Sequence, residues 1–378
     1  QKPKGESSVI DIYDATIVDA NTNETRFVDV IDIATEEVPH LVESMLLTFS
    51  RMQWDMQKYF YISLPIVRDK NNQYIGIDAA HAAATREVFC VFMLQATTAI
   101  CDTKLLEEKL IDAIEDLTVS YAAQERMQKH LMEVQTNWQS LSGANKNETK
   151  ILCEVNTFID WLLKHYRITG VRYYKLVKGD NLEILPEKCA GVYSLPRHFS
   201  AVKRPFLQPT QEQAGEESFF ITKLLYITKA NVKSNIIRDE FLDLIGLRIL
   251  NNEQQVTHEI RFIGLLDGID SISNHSRIPL IRLKIDNIHH SAKNLSLYHK
   301  TSLRLILNSI PIEELFQAKL EFLYQTAVQM LMNKGTSKVI AFFREDFFKS
   351  FYTIQVLIPS TYYDKTFKKR LKKFVQEH

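Results

Sequence analysis

The sequence predicts an α+β chain of several domains, built mostly of antiparallel sheet with packed helices. Three observations lead there. At 378 residues the chain exceeds what one hydrophobic core usually organises. Alternating apolar runs, the mark of strands, are interleaved with runs whose apolar residues fall three and four apart, the mark of helices. Breaks at 143–147 and near Arg277 separate these runs into groups of different character.

The first group spans residues 1–145. Residues 27–33 alternate as a strand. Val38, Leu41, Val42, Met45, Leu46 and Phe49 then form one apolar helix face, with Pro39 in a first turn where its missing N–H costs nothing. Strands at 59–67 and 74–77 flank Asp69-Lys70-Asn71-Asn72, a hairpin signal, and 87–95 is another strand. Asp102 caps one very long helix through Leu110, Leu117, Leu131 and Trp138. Strand, helix, two strands, strand, helix is close to a ferredoxin-like βαββαβ order. No strand follows the long helix, and residues 9–13 are the candidate to fill that place.

The second group, 146–275, opens with a helix carrying Ile151, Leu152, Val155, Phe158, Ile159 and Leu162 on one face. A hairpin follows, 171–177 and 182–185 around Gly179-Asp180-Asn181. After a polar, proline-bearing loop at 196–215 come strands at 219–228, 246–250 and 256–266, so a mostly antiparallel sheet is expected. Residues 276–335 read as a connector of three helices, 278–288, 296–307 and 311–332, the last stopped by Gly335. The remaining 336–378 hold a hairpin (337–344 with 351–358) and a helix capped by Asp364. A hairpin plus one helix is too little for a domain, so the final unit reads as cut short. The opening at Gln1 likewise reads as a trimmed chain.

Composition excludes several functions. Lys plus Arg total 46, as do Asp plus Glu, so no long-range field gathers nucleic acid or anionic membrane over the whole chain. No apolar run approaches membrane-spanning length, and no signal peptide opens the chain. The N-glycosylation triplets at Asn23, Asn147, Asn274 and Asn294 mean nothing without secretion. Cys90, Cys101, Cys153 and Cys189 form no CxxC pair, which points to free thiols in a reducing, cytoplasmic compartment rather than a metal framework.

The sequence carries no recognisable catalytic signature. The closest glycines are Gly264 and Gly268, and no glycine precedes a lysine, so neither phosphate-cradling loop exists. His289 and His290 are helix neighbours pointing about 100° apart and cannot chelate jointly. His258 and Glu259 are strand neighbours on opposite faces; His258 shares its face with Val256 and Ile260, Glu259 with Thr257 and Arg261. No GxSxG elbow is present, and Cys189 reads as a structural thiol. Lys365, Lys368, Lys369, Arg370, Lys372 and Lys373 surround Phe367, Leu371 and Phe374. This reads as an amphipathic helix lying on the 337–358 hairpin, with an RNA- or lipid-binding surface as the rival reading.

Several segments, read together, resemble the N-terminal portion of the large bacterial NAD-specific glutamate dehydrogenases. The strongest is Leu224-Leu225-Tyr226-Ile227-Thr228-Lys229-Ala230-Asn231-Val232-Lys233-Ser234. Others are Arg261-Phe262-Ile263-Gly264-Leu265-Leu266, Arg277-Ile278-Pro279-Leu280-Ile281-Arg282-Leu283-Lys284 and Glu313-Glu314-Leu315-Phe316-Gln317. Glu37-Val38-Pro39-His40-Leu41-Val42-Glu43-Ser44 and Phe158-Ile159-Asp160-Trp161-Leu162-Leu163 add support. They fall in the family's order and span roughly residues 26–360.

The resemblance implies a parent that oxidatively deaminates L-glutamate to 2-oxoglutarate and ammonia with reduction of NAD. Its catalytic and dinucleotide sites lie C-terminal to the part seen here. This stretch then holds no catalytic, cofactor or metal residue of its own, and NAD belongs to the parent. The resemblance names the four units an ACT-like domain (1–145), a PAS-like sheet domain (146–275), a helical connector (276–335) and the start of a second ACT-like domain (336–378). Their implied work is regulation and oligomer building, with further copies of the chain and a small-molecule effector as partners, not nucleic acid or membrane. A small-molecule sensor is the second reading. The candidate regulatory turn is Glu36, Glu37, Val38, Pro39 and His40. It departs from amino-acid-binding ACT domains in lacking a glycine and in placing two carboxylates where an anion would sit. Pro359-Ser360-Thr361-Tyr362-Tyr363 also stands where the family usually has Pro-Arg-Asp-Arg-Tyr.

Overall fold

The alternation of residues 27–33 becomes the inner strand of a five-stranded antiparallel sheet. In the computed structural model this strand, β2 (Thr25–Glu36), has β1 (Ser8–Val18) on one side and β5 (Ala84–Ala96) on the other. β3 (Trp54–Arg68) pairs with β5, and β4 (Tyr74–Ile77) turns back on β3, giving the order β1-β2-β5-β3-β4. The structure describes residues 8–18, 25–82, 84–96, 102–143, 145–177, 181–198, 204–205, 216–267, 274–346 and 348–377. Helix α1 (Leu41–Arg51) carries the chain from β2 to β3 across β5, a split βαβ crossover. The outer place beside β2 is filled from the N-terminal side by β1.

Leu41, Met45 and Phe49 of α1 bury against Ile31, Ile33, Cys90 and Phe92, as their spacing requires. Leu106, Leu110, Ile114 and Leu117 of α2 (Thr103–Ala122) complete this core. Asp102 caps α2 by accepting from the N–H groups of Lys104 and Leu105, at 2.9 and 3.1 Å. The single long helix expected from Asp102 through Trp138 is instead broken at Ala123, and α3 (Gln124–Gln139) follows. Two packing demands explain the break. The apolar stripe of α2 serves the first core, while Met127, Leu131, Val134 and Trp138 of α3 serve a second. At the bend, Gln124 Nε2 donates to the carbonyls of Ser120 and Ile168.

That second core lies between a seven-stranded antiparallel sheet and the helices α3 and α4 (Lys146–His165). The strands are β6 (Tyr166–Val177), β7 (Asn181–Ile184), β8 (Ala190–Gly191), β9 (Arg204–Pro205), β10 (Leu225–Lys233), β11 (Phe241–Leu250) and β12 (Val256–Leu266). Their order is β10-β11-β12-β6-β7-β9, with β8 beside β6. Residues 219–224, expected as strand, are the end of helix α5 (Glu216–Leu224), and the strand begins at Leu225. A short apolar run carries no periodicity that separates the two states. Here Arg248 donates to the Thr222 carbonyl at 2.7 Å, satisfying an acceptor that the helix end leaves free.

Helices α6 (Ile281–Ser291), α7 (Leu297–Ser309), α8 (Ile312–Gln317) and α9 (Leu320–Met332) pack into the same core. Glu154 of α4 holds them, accepting from the Leu280 N–H and from two nitrogens of Arg282 at 2.6 and 2.7 Å. The expected helix 311–332 is split at Ala318 and Lys319, both extended. The cause is Lys284, whose ammonium donates to the carbonyls of Leu315, Phe316 and Ala318 at 2.7–2.8 Å and so caps the short α8. Burial pulls the pKa of that ammonium down to about 7, with Glu314 opposing the shift and Arg344 adding to it.

The chain closes with β13 (Ile340–Glu345), β14 (Tyr352–Leu357) and α10 (Lys365–Glu377). Arg344 joins this hairpin to α8 through two bonds to Glu314, at 2.6 and 2.7 Å. Leu371 and Phe374 of α10 are exposed, not laid on the hairpin as expected; a two-stranded ribbon is too narrow to bury a helix stripe. Cys101, Gly179-Asp180 and most of the 196–215 loop lie outside the described residues.

Candidate functional site

Strand alternation divides the side chains of β6 and β12 between two faces of the second sheet. Val171, Tyr173, Ile260 and Phe262 enter the core under α3 and α4, which sends Arg172, Tyr174, Arg261 and Ile263 the other way. On that opposite face a cleft of about 540 Å³ opens. Residues 229–236, from β10 and the tip beyond it, form one wall, and Asp116 of α2 with Arg197 and His198 another. Phe348 and Ser350, from the loop between β13 and β14, stand at the lip. The first sheet's helix, the second sheet and the terminal hairpin thus meet at one cavity.

The tip after β10 is fixed to the first unit. Ile236 is buried in the first core, the Ile237 N–H donates to Ser44 Oγ at 3.1 Å, and Arg51 pairs with Asp239 at 2.5 Å. On the other side, Asp346 accepts from Thr228, and the Phe348 ring meets Tyr226 edge-on at 5.0 Å.

The charges around the cleft are mostly paired. Arg197 contacts Asp112, Glu115 and Asp116; Lys229 pairs with Asp243 at 2.7 Å and Arg261 with Glu259 at 2.7 Å. Lys233, at the mouth, reaches Asp239 only at 3.4 Å. Burial pushes the Asp116 carboxyl up, but His198, Asn235 and Arg197 outweigh it and hold it below the usual carboxylate range. For Asp243 the balance is reversed: burial dominates Lys229 and raises the carboxyl. Behind Arg261 lies a fully enclosed network in which Glu259 accepts from Arg248, Arg261 and the Tyr226 hydroxyl. Gly246 makes room for it, since a Cβ there would stand 2.1 Å from the Tyr226 ring.

Arg172 differs from the other cations. Its guanidinium carbon lies 3.8 Å from the Tyr193 ring centroid and one nitrogen donates to the His198 carbonyl at 2.6 Å. Among the described residues it contacts no carboxylate, and its Nε is buried without a hydrogen-bond partner.

The turn read from sequence lies apart from this cleft. The Glu37 N–H donates to the Arg86 carbonyl at 2.8 Å, and its carboxylate forms an exposed pair with Arg86 at 2.6 Å. Glu36 ends β2, Val38 packs against the first core, and Pro39 leads into His40, the N-cap of α1, which has a positive φ of 63°. The His40 carbonyl accepts from the Ser44 hydroxyl that also receives the tip, so the turn is one helix turn from the seam. His258 is half-buried against Tyr173, and burial lowers its pKa. Burial likewise raises the Cys189 thiol. Arg172 was not singled out from sequence. Its signal is a charged residue flanked by Val171 and Tyr173, whose side chains fill the core. A dinucleotide does not fit: no glycine lines the cleft among the described residues, so no turn lets a backbone approach a pyrophosphate.

Two models of known families match parts of the chain. The model of the glutamate dehydrogenase ACT1 domain matches residues 1–110, and that of glutamate dehydrogenase helical motif 1 matches residues 278–334. The NAD-specific glutamate dehydrogenase of Halomonas elongata is 21% identical over 357 residues, and that of Pseudomonas aeruginosa 20% over 365. These matches support an N-terminal region of that family. Each alignment covers 92% of this chain but 22% of the relative, so the chain spans about a fifth of the length of the NAD-specific glutamate dehydrogenases it matches. The helical-motif match falls on α6 to α9, and the ACT1 match on the first sheet with α1 and the start of α2. The cleft lies mainly between the two matched segments.

Proposed function

We propose that this chain is the regulatory and oligomer-building region of a larger NAD-dependent glutamate dehydrogenase and takes no direct part in its chemistry. The carrying observation is the pair of family matches, at 1–110 and 278–334, in a chain whose eleven glycines form no dinucleotide loop. The full enzyme converts L-glutamate, water and NAD to 2-oxoglutarate, ammonia and NADH in domains outside this stretch. In this reading residues 1–145 are an ACT-like domain, 146–275 a PAS-like domain, 276–335 a helical connector and 336–378 the beginning of a second ACT-like domain. The split crossover of the first sheet supports the first name. Exposed Phe343, Tyr352 and Ile354, all on one face of the terminal hairpin, support self-association, because such a face is normally covered by a partner. The Glu36–His40 turn serves as a second regulatory contact through Ser44.

The test is twofold. The purified 378-residue chain should form no NADH from L-glutamate and NAD, and light scattering should show its mass rising with concentration. Turnover free of host enzyme would overturn the non-catalytic assignment. A strict monomer at high concentration would overturn the oligomer-building one.

A further inference from the structure

We propose that the junction cleft is a binding site for an anionic small molecule with an apolar or aromatic body, and that Arg172 anchors its oxyanion. Three features of the cavity carry this. The first is charge. Arg197, Lys229, Lys233 and Arg261 each have a carboxylate partner, whereas Arg172 has none among the described residues. A half-buried guanidinium with an unpaired Nε–H is a donor set awaiting an acceptor, and its planar fork matches a carboxylate or phosphate oxygen pair. The Tyr193 ring and the His198 carbonyl hold that fork still, so little order is lost when an anion arrives. Among the described residues the only carboxylate on the walls, Asp116, is already engaged by Arg197, His198 and Asn235 and does not repel an incoming anion as a bare charge would.

The second feature is shape and lining. A cavity of about 540 Å³ is far larger than a free oxyanion and lies in the ordinary range for organic ligands. Beside the paired charges, Val192, Leu242, Leu244, Ile263 and the Phe348 ring give the cleft an apolar surface that suits a carbon body. The third is position. A ligand on Arg172 would touch the 229–236 wall, whose tip is fixed to α1 and α2, and the Phe348 lip, which belongs to the terminal hairpin. Occupancy would therefore hold three units in one arrangement, which gives the cleft a regulatory consequence. This inference concerns residues of this chain alone, and its failure would leave the glutamate dehydrogenase assignment intact.

Calorimetric titration of the 378-residue chain with phenyl phosphate, phenylacetate, inorganic phosphate and benzylamine tests it. Phenyl phosphate or phenylacetate should bind, at least tenfold more tightly than inorganic phosphate, and benzylamine should not. The tighter of the two aromatic anions identifies phosphate or carboxylate as the natural group. Arg172→Met, which keeps the stem beside Tyr193, should weaken the tighter probe at least tenfold, and Lys233→Met at the mouth should weaken it two- to threefold. Asn231→Trp, at an exposed wall position, blocks the cleft without disturbing a core and should abolish binding even if Arg172→Met fails to fold. Equal binding of benzylamine, no binding of either aromatic anion, or full affinity in Asn231→Trp would overturn the proposal.

Discussion

In the first sheet Ile31, Ile33, Cys90 and Phe92 meet one layer of helices, while Phe60 and Ile62, on the opposite face, stand in solvent. In the second sheet both faces are covered, and Arg248 and Glu259 are enclosed completely. The difference sets what each sheet can lose. A one-sided sheet rests on apolar area and tolerates almost anything on its open face. A two-sided sheet that encloses charge depends on each member of the network, because a lone buried ion costs far more than a pair. The same enclosure holds the backs of the cleft residues rigid.

The largest effect expected from this contrast is at Glu259. Glu259→Gln removes the charge shared by Arg248 and Arg261 while keeping the volume, leaving a fully buried guanidinium uncompensated. Breaking a buried pair in this way should cost about 3–5 kcal/mol, read as a lower urea midpoint followed by the fluorescence of Trp138 and Trp161 in the second core. An unchanged midpoint would mean that the network contributes no more than a surface pair and would erase the contrast.

The matching change in the first sheet is Met45→Ala. Met45 is fully buried between α1 and the sheet, so its truncation should cost about 2–5 kcal/mol through lost transfer energy and cavity formation. The contrast sharpens if the two variants melt different units: Met45→Ala should first lower amide protection in β2 and β5, and Glu259→Gln first in β11 and β12. Loss of both sheets together in either variant would show that the seam makes them one cooperative body.

The same contrast explains how much was legible beforehand. Where a strand has one wet face, its alternation is written in the residues: the strand at 27–33, the α1 face of Leu41, Met45 and Phe49, and the crossover order were all readable. Where burial is two-sided, local pattern fails. Residues 219–224, mostly apolar, fit either state locally, and Arg248, more than twenty positions away, marks the helix end at Thr222. The breaks at Ala123 and Ala318 are set by Gln124 meeting the Ile168 carbonyl and by Lys284 reaching three carbonyls, contacts with no local signature. The cleft was invisible for the same reason: Asp116, Arg172, Asn235 and Phe348 come from four distant places. The Leu224–Ser234 resemblance held one wall of it without showing that a wall was there.

The smallest effect is expected at the seam between the sheets, where partners are half-exposed. Asp116 Oδ1 accepts from Arg197 at 2.7 Å and faces His198 Nε2 at 2.9 Å, while Oδ2 accepts from Asn235 at 3.1 Å. Arg197 keeps Asp112 and Glu115 when Asp116 is neutralised, so Asp116→Asn should cost on the order of 1–3 kcal/mol at neutral pH. The cost should also depend on pH. Burial raises this carboxyl, but His198, Asn235 and Arg197 leave it lower in the folded chain than in the unfolded one, where it titrates at about 3.9. Below that value the unfolded state takes up the proton first, so the carboxylate's contribution is complete above about pH 5 and is lost as the pH falls through the folded pKa. The difference in urea midpoint between the original chain and Asp116→Asn should therefore shrink as the pH falls below about 5. A difference that grew toward low pH would mean that the seam favours the protonated acid, and that the tip bearing Asn235 is held by Ile236 and Ser44 rather than by charge.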